Sequence, residues 1–123
     1  MEIRNIKDIK SYITKDNSKI KEIFHPNNSP LKSMSLAEAV VLPGKTTNYH
    51  YHKQSDEIYF ILQGTGILEI EGEKRKVREN DFILIRAGSR HRIKNIGETQ
   101  LKILCFESPP YSHEDTVLVD STQ

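Results

Sequence analysis

The stretch GKTTNYHYHKQSDEIYFILQG, Gly44 to Gly64, decides the reading of this chain. In an extended strand successive side chains point to opposite faces, so His50 and His52 project together while Tyr51 turns away. Glu57 returns on the next strand. Two neutral imidazoles sharing a face with a carboxylate form half of a cage for a divalent transition metal. From Asp56 to Leu62 the alternation places Glu57, Tyr59 and Ile61 on one face, so the face that carries the ligand continues as the lining of a barrel.

The other half lies in NDFILIRAGSRHRIKN, Asn80 to Asn95. After a turn containing Gly88, His91, Ile93 and Asn95 alternate with Arg90, Arg92 and Lys94. With the uncharged face inward, His91 completes a site of three histidines and one glutamate while the cations meet water.

These two stretches resemble the motifs of the cupin family. The first motif, Gly, five residues, His-x-His, three or four residues, Glu, six residues, Gly, is met at every fixed position by Gly44, His50, His52, Glu57 and Gly64. The second is met in part: Gly88, His91 and Asn95 are in place, but Asn80 stands where a Gly is usual and Arg86 where a Pro is usual. Both departures fall at turns or strand ends and bear on loop shape more than on ligation. The resemblance covers roughly residues 33 to 107. It implies a double-stranded β-helix, or jelly roll, an all-β fold. It also implies a metal held by His50, His52, Glu57 and His91, its identity open among Mn, Fe, Zn, Ni, Co and Cu.

Short runs separated by frequent turns, with no convincing amphipathic helix, independently argue for a barrel or sandwich. A chain of 123 residues with 36% hydrophobic content predicts a single domain over 1–123, with N-terminal strands in 1–32, the barrel in 33–107 and a tail in 108–123. In the first part KDNS reads as a turn and KIKEIF as a strand that crosses to a partner subunit or caps the sheet. Ser33–Leu42 is a longer strand with small residues on one face. The tail packs over the barrel wall, Ser112 and Asp115 have the spacing of a capping box for one helical turn, and Tyr111 or His113 is placed to reach the barrel mouth. His25, beside Pro26, reads as a surface residue.

A net charge of +1 gives no global bias toward nucleic acid or membrane. The cations of Lys74–Arg78 and Arg86–Lys94 are interleaved with Glu73, Glu79 and Asp81, which favours a solvated outer face over a nucleic-acid surface. One cysteine, Cys105, cannot form an intrachain disulfide, and no window approaches a membrane span, so a cytoplasmic protein is expected. Sheet edges left by so small a barrel predict a homodimer.

For function, the resemblance implies a metal-dependent enzyme on a small oxygenated, sugar- or keto-acid-like substrate, by isomerase, lyase, cyclase or dioxygenase chemistry. The alternative is a barrel that binds a small molecule or metal without turnover. No separate general base stands out. Asn48, in phase with His50, and Tyr59, in phase with Glu57, are the candidates to contact a ligand or substrate.

Overall fold

The computed structural model describes residues 1–120. Its strands are β1 (Tyr12–Ile13), β2 (Lys19–Phe24), β3 (Ser35–Val41), β4 (His50–His52), β5 (Asp56–Gln63), β6 (Thr65–Ile70), β7 (Glu73–Arg78), β8 (Phe82–Ile85), β9 (His91–Asn95), β10 (Leu101–Ser108) and β11 (Thr116–Leu118). They form two antiparallel sheets, ordered β1-β2-β3-β10-β5-β8 and β11-β4-β9-β6-β7. This is the expected all-β double-stranded β-helix. The described helix content is a 3-10 turn at Ile6–Asp8, and no described helix is long and apolar enough to cross a membrane.

The inner faces of the two sheets are graded in polarity. Along β5 the inward residues run Glu57, Tyr59, Ile61, and along β10 they run Glu107, Cys105, Ile103, paired across the sheet in that order. On the opposite sheet β9 contributes His91 and then Ile93. One end of the barrel is therefore polar. The other is an apolar plug of Ile61, Ile93, Leu101 and Ile103, all essentially buried, while the buried Ile85 lies opposite Glu57. Each such side chain contributes about 1.5–3 kcal/mol of burial free energy, so the plug holds the sheets together and leaves the polar end free for other work.

The small-residue face of β3, Ser35, Ala37 and Ala39, is the one that turns inward, and Ala37 and Ala39 leave room beside the polar end. KIKEIF is β2, but it pairs with β3 of its own chain, from Lys19 opposite Val40 to Phe24 opposite Leu36. The strand extends the sheet, so the crossover to a partner is not what the structure shows. KDNS is a turn, with Asn17 at φ 75. At the other end of the chain Ser112 Oγ accepts from Asp115 N at 3.1 Å, as a cap does. The chain makes only a turn there before pairing as β11 with β4, because Thr116, Val117 and Leu118 align with His52, Tyr51 and His50.

The two departures from the second motif are absorbed locally. Asn80 takes the left-handed φ of 75 that Asn tolerates better than most side chains. Arg86 accepts a hydrogen bond from Ser89 N at its carbonyl, 3.0 Å, closing the turn that Gly88 needs. Asn95 is buried and structural: its side chain bonds Val41 O and Thr99 O and accepts from Gly97 N. On the outer face of the second sheet Arg92 pairs with Glu69 at 3.1 Å, Arg90 with Glu71 at 3.0 Å and Arg75 with Glu73 at 2.8 Å.

Gly64, between β5 and β6, has φ +93, and a Cβ there would stand 3.1 Å from Gln100 O and 3.2 Å from Leu101 Cα. Both obstacles are backbone. Gly64→Ala is expected to cost about 1–3 kcal/mol, read as a lowered denaturant midpoint with an unchanged m-value.

Candidate metal centre

β4 is a three-residue strand held between β9 and β11, and His50 lies directly opposite His91 in the ladder. The pleat turns His50, His52 and His91 into the barrel, where all three are buried. Their ring centroids are 4.2 Å apart for His50 and His91, 5.3 Å for His50 and His52, and 5.7 Å for His52 and His91.

Each ring is fixed at Nδ1. His50 Nδ1 lies 2.8 Å from Asn48 O and His91 Nδ1 2.9 Å from Ser89 O. A carbonyl can only accept, so both Nδ1 atoms carry the proton. His52 Nδ1 lies 2.9 Å from Thr116 Oγ1, and that hydroxyl gives its own proton to Ser112 O at 2.9 Å. Thr116 Oγ1 is thereby an acceptor for His52. All three imidazoles are left with an Nε2 lone pair facing the interior, the tautomer that a metal needs.

The atoms they face are carboxylate oxygens. Glu57 Oε1 is 3.3 Å from both His52 Nε2 and His91 Nε2, and Glu107 Oε1 is 3.3 Å from His52 Nε2. None of these contacts has hydrogen-bond geometry: Glu57 Oε1, Glu107 Oε1 and His91 Nε2 are buried without a hydrogen-bond partner. Buried polar atoms are rarely left so. A divalent ion held by the histidines and Glu57 would satisfy Glu57 Oε1 and His91 Nε2 and leave Glu107 Oε1 facing the cavity, and two ligands each about 2.1 Å from one ion stand about 3.0–3.4 Å apart. The donor set, imidazole nitrogen and carboxylate oxygen, suits a first-row transition metal. His50, His52 and His91 form one group within ligand reach, and His52, Glu57 and Glu107 a second that shares His52.

The charges of the metal-free site follow from burial and from these neighbours. Burial pulls Glu57 up, but the contacts with His52 and His91 outweigh it and hold the carboxyl near 2. Burial also pulls His91 down, and Glu57 with the Ser89 carbonyl more than offsets this, leaving it above the ordinary imidazole value. Burial, then the charge of His91, pushes His50 down to about 4. Burial, then Glu57, pushes Glu107 up to about 10. Glu57 thus favours the charged form of His91, and burial disfavours the charged form of Glu107.

Next to these groups is a cavity of about 40 Å³, room for about three waters. Tyr59 lines it, buried, with its ring centroid 5.9 Å from that of His91. Asn48 is exposed and reaches His50 through its backbone carbonyl, not its side chain. Tyr111 does reach the cavity: its ring packs edge-on to His52 at 6.0 Å and its hydroxyl bonds Thr14 Oγ1 and His113 Nδ1. His25 is half-buried with Nε2 2.7 Å from Tyr111 O, so it belongs to the packing of the C-terminal segment and is not a free surface residue.

Three residues near the histidines escape sequence reasoning. Glu107 had a signal, since Leu101, Ile103, Cys105 and Glu107 share a phase in LKILCFE. Thr116 and Asp16 had none, because they arrive through the β11–β4 pairing and the β1–β2 turn. Asp16 Oδ2 stands 3.7 Å from His50 Nε2.

This fold, with three imidazoles and a carboxylate turned inward at the polar end of the barrel, is that of a cupin, and the Cupin domain family matches residues 37–107. The chain belongs to that family. It is 49% identical to an uncharacterized protein of Methanocaldococcus jannaschii over 91% of this chain and 90% of that one. It is 32% identical to the oxalate-binding protein of Thermotoga maritima over 59% of this chain and 60% of the relative. Among solved structures, the polyketide cyclase RemF of Streptomyces resistomycificus superposes with a TM-score of 0.76 at 21% identity, covering 94% of this chain and 89% of that one, a likeness of fold.

Metal affinity should depend on Thr116 and on pH. Thr116→Val removes the acceptor that orients His52 and is expected to weaken metal binding about 10–100-fold, read by competition with a chromogenic chelator. Glu57 raises the pKa of His91, and His91 in its protonated form must lose that proton before it can ligate. Affinity therefore falls as pH falls from 8 to 6, by about tenfold per unit where one proton is displaced.

Proposed function

We propose that this protein is a metal-dependent enzyme that moves a proton on a small hydroxylated or carbonyl substrate, the chemistry of an isomerase, lyase or cyclase. The observation that supports it is the second carboxyl, Glu107, buried with an unpartnered oxygen beside the histidines and facing the cavity. His50, His52, Glu57 and His91 would hold one divalent ion. When bound, that ion supplies Lewis-acid polarisation of a substrate oxygen, or dioxygen chemistry if it is Fe, Cu or Mn.

The chain's own residues account for the rest. Ala37 and Ala39 leave space for the substrate, and Tyr59 and Tyr111 wall it in. Glu107 is the acid–base group. Its carboxylate takes the proton from the hydroxyl-bearing carbon next to the substrate carbonyl and the electron pair moves onto the carbonyl oxygen; that oxygen takes the proton of the neighbouring hydroxyl, which becomes the new carbonyl as the Glu107 carboxyl returns its proton to the former carbonyl carbon. A neighbouring cation favours the ionised form of Glu107, opposing the burial that disfavours that form in the metal-free protein. Tyr59 orients the substrate from the far side of His91. Of the named relatives, the polyketide cyclase agrees in kind with this reading, whereas the oxalate-binding protein is named for binding.

A second reading, a barrel that binds without turnover, is favoured by the small volume of the cavity and by the Tyr111–Thr14 bond across its wall. Metal-loaded protein in D2O with dihydroxyacetone separates the two. The enzyme reading expects deuterium at carbon, seen by NMR, with Glu107→Gln slower by about 10²–10⁴-fold at equal metal content. Exchange that survives Glu107→Gln removes Glu107 from the chemistry, and protection from unfolding without exchange leaves the binding reading.

We also propose a cytoplasmic homodimer. Ile58, Leu62, Phe82 and Leu84 are exposed on the outer face of β5 and β8, where the Phe60 and Phe82 rings pack at 4.4 Å. A second copy covering that face would hide a contiguous apolar patch. Arg75, Arg90 and Arg92 of the other sheet are paired with Glu73, Glu71 and Glu69, which supports leaving nucleic acid and membrane surfaces out of the reading. Light scattering should give twice the chain mass for the wild type and the chain mass for Phe82→Glu, Leu84→Glu.

A further inference from the structure

The cavity beside the histidines has an unusual inventory of polar groups. Among the described residues, four carboxyl side chains line it, Asp16, Glu22, Glu57 and Glu107, and no lysine or arginine does. Glu107 is 5% exposed and its Oε1 has no hydrogen-bond partner; Glu22 Oε2 is also buried and unpartnered.

The donors of the wall are spent within it. Tyr12 OH donates to Glu22 Oε1 at 2.9 Å, and the Ser18 amide and hydroxyl both donate to Asp16 Oδ1. Thr116 gives its proton to Ser112 O, while Thr14 and Tyr111 share one hydrogen bond and Tyr111 has a second contact at His113 Nδ1. The three histidines use their Nδ1 protons on Asn48 O, Ser89 O and Thr116 Oγ1. Among the described hydroxyls lining the cavity, only that of Tyr59 has no protein partner. Outside the four candidate ligands, what remains unpartnered is the carboxyl oxygens of Glu22 and Glu107 and the Tyr59 hydroxyl.

A ligand that fits such a wall brings donors and no negative charge. A dicarboxylate or a phosphate ester needs cationic or N–H partners when it leaves water, and desolvating it against carboxylates is unfavourable. A divalent ion offset by Glu57 leaves one net positive charge against the three other carboxyl groups. Tyr12, Glu22 and Tyr111 also line an outer depression with His25 and His113, so Glu22 lies between that depression and the histidines.

We infer that the cavity selects a small uncharged or cationic molecule rich in O–H or N–H donors, a polyol, hydroxycarbonyl or amino alcohol, and rejects carboxylates and phosphate esters. This rests on the reading of the cavity as the substrate site and narrows its substrate class, setting the keto-acid alternative aside.

The test is calorimetric titration of the wild-type protein with four probes, dihydroxyacetone and ethanolamine against oxalate and dihydroxyacetone phosphate, in metal-loaded and metal-free forms. The expected result is binding of dihydroxyacetone, ethanolamine or both at least about tenfold tighter than either anion, with ethanolamine telling a cation preference from a neutral one. Glu22→Gln, which keeps an oxygen for Tyr12, should narrow that gap. Oxalate or dihydroxyacetone phosphate binding as tightly as the donor-rich probes overturns the inference, as does the failure of all four to bind. Metal content and carbon–deuterium exchange, measured on the same samples, report separately on the enzyme reading. A protein that takes no metal yet prefers the donor-rich probes would keep the selectivity and lose the catalysis.

Discussion

The constraint on which the rest of this structure depends is the hydrogen bond at each histidine Nδ1. A buried imidazole can tip, flip or change tautomer, and three of them facing one point would do so unless each were held from behind. Here the holding groups are two backbone carbonyls, Asn48 and Ser89, each two residues before its histidine, and one hydroxyl from a distant strand, Thr116. The two carbonyls come with the local chain path. The hydroxyl does not, which explains why β11 must lie on β4 and why the C-terminal segment is part of the site and not a covering of it.

The same economy appears in the gradient along the strands. β5 and β10 carry carboxylates at one end and isoleucines at the other, in register, so stability and chemistry occupy different ends of one pair of strands. The apolar plug bears the burial free energy. The polar end is free to keep unpartnered oxygens that would be costly in a core with no such counterweight. Lys15 adds a tie over the top, with Nζ on the carbonyls of His113 and Thr116 at 3.0 and 2.6 Å.

Much of this was written in the sequence because the side-chain period of a strand is two. His50, His52 and His91, and the sequence Glu57, Tyr59, Ile61, could be assigned to the inside from alternation alone, and the structure puts them there. Glu107 follows the same rule from Leu101 onward, but at the end of an apolar run its phase is easily passed over. Pairing partners that are not neighbours in sequence are another matter. Nothing local in Thr116 says that it meets His52 from 64 positions away, and nothing in KIKEIF says whether it joins its own sheet or another's. Asn48 shows the converse: alternation puts it in phase with His50, but the strand begins only at His50, and the residue contributes its carbonyl.

The pairing of His50 directly with His91 has a consequence for how the protein reaches this state. The ligands come from segments whose meeting closes a long loop, and the entropy of that closure is spent before any of their contacts repays it. The isoleucine plug closes a loop of similar length, with Ile61 opposite Ile103, and its burial free energy offsets that cost without an ion. An ion that arrives once the plug has formed acts as a latch on a nearly finished barrel. One that arrives sooner meets a chain whose histidines can be bridged in other registers, so the order of collapse and metal delivery governs the yield of correctly loaded protein.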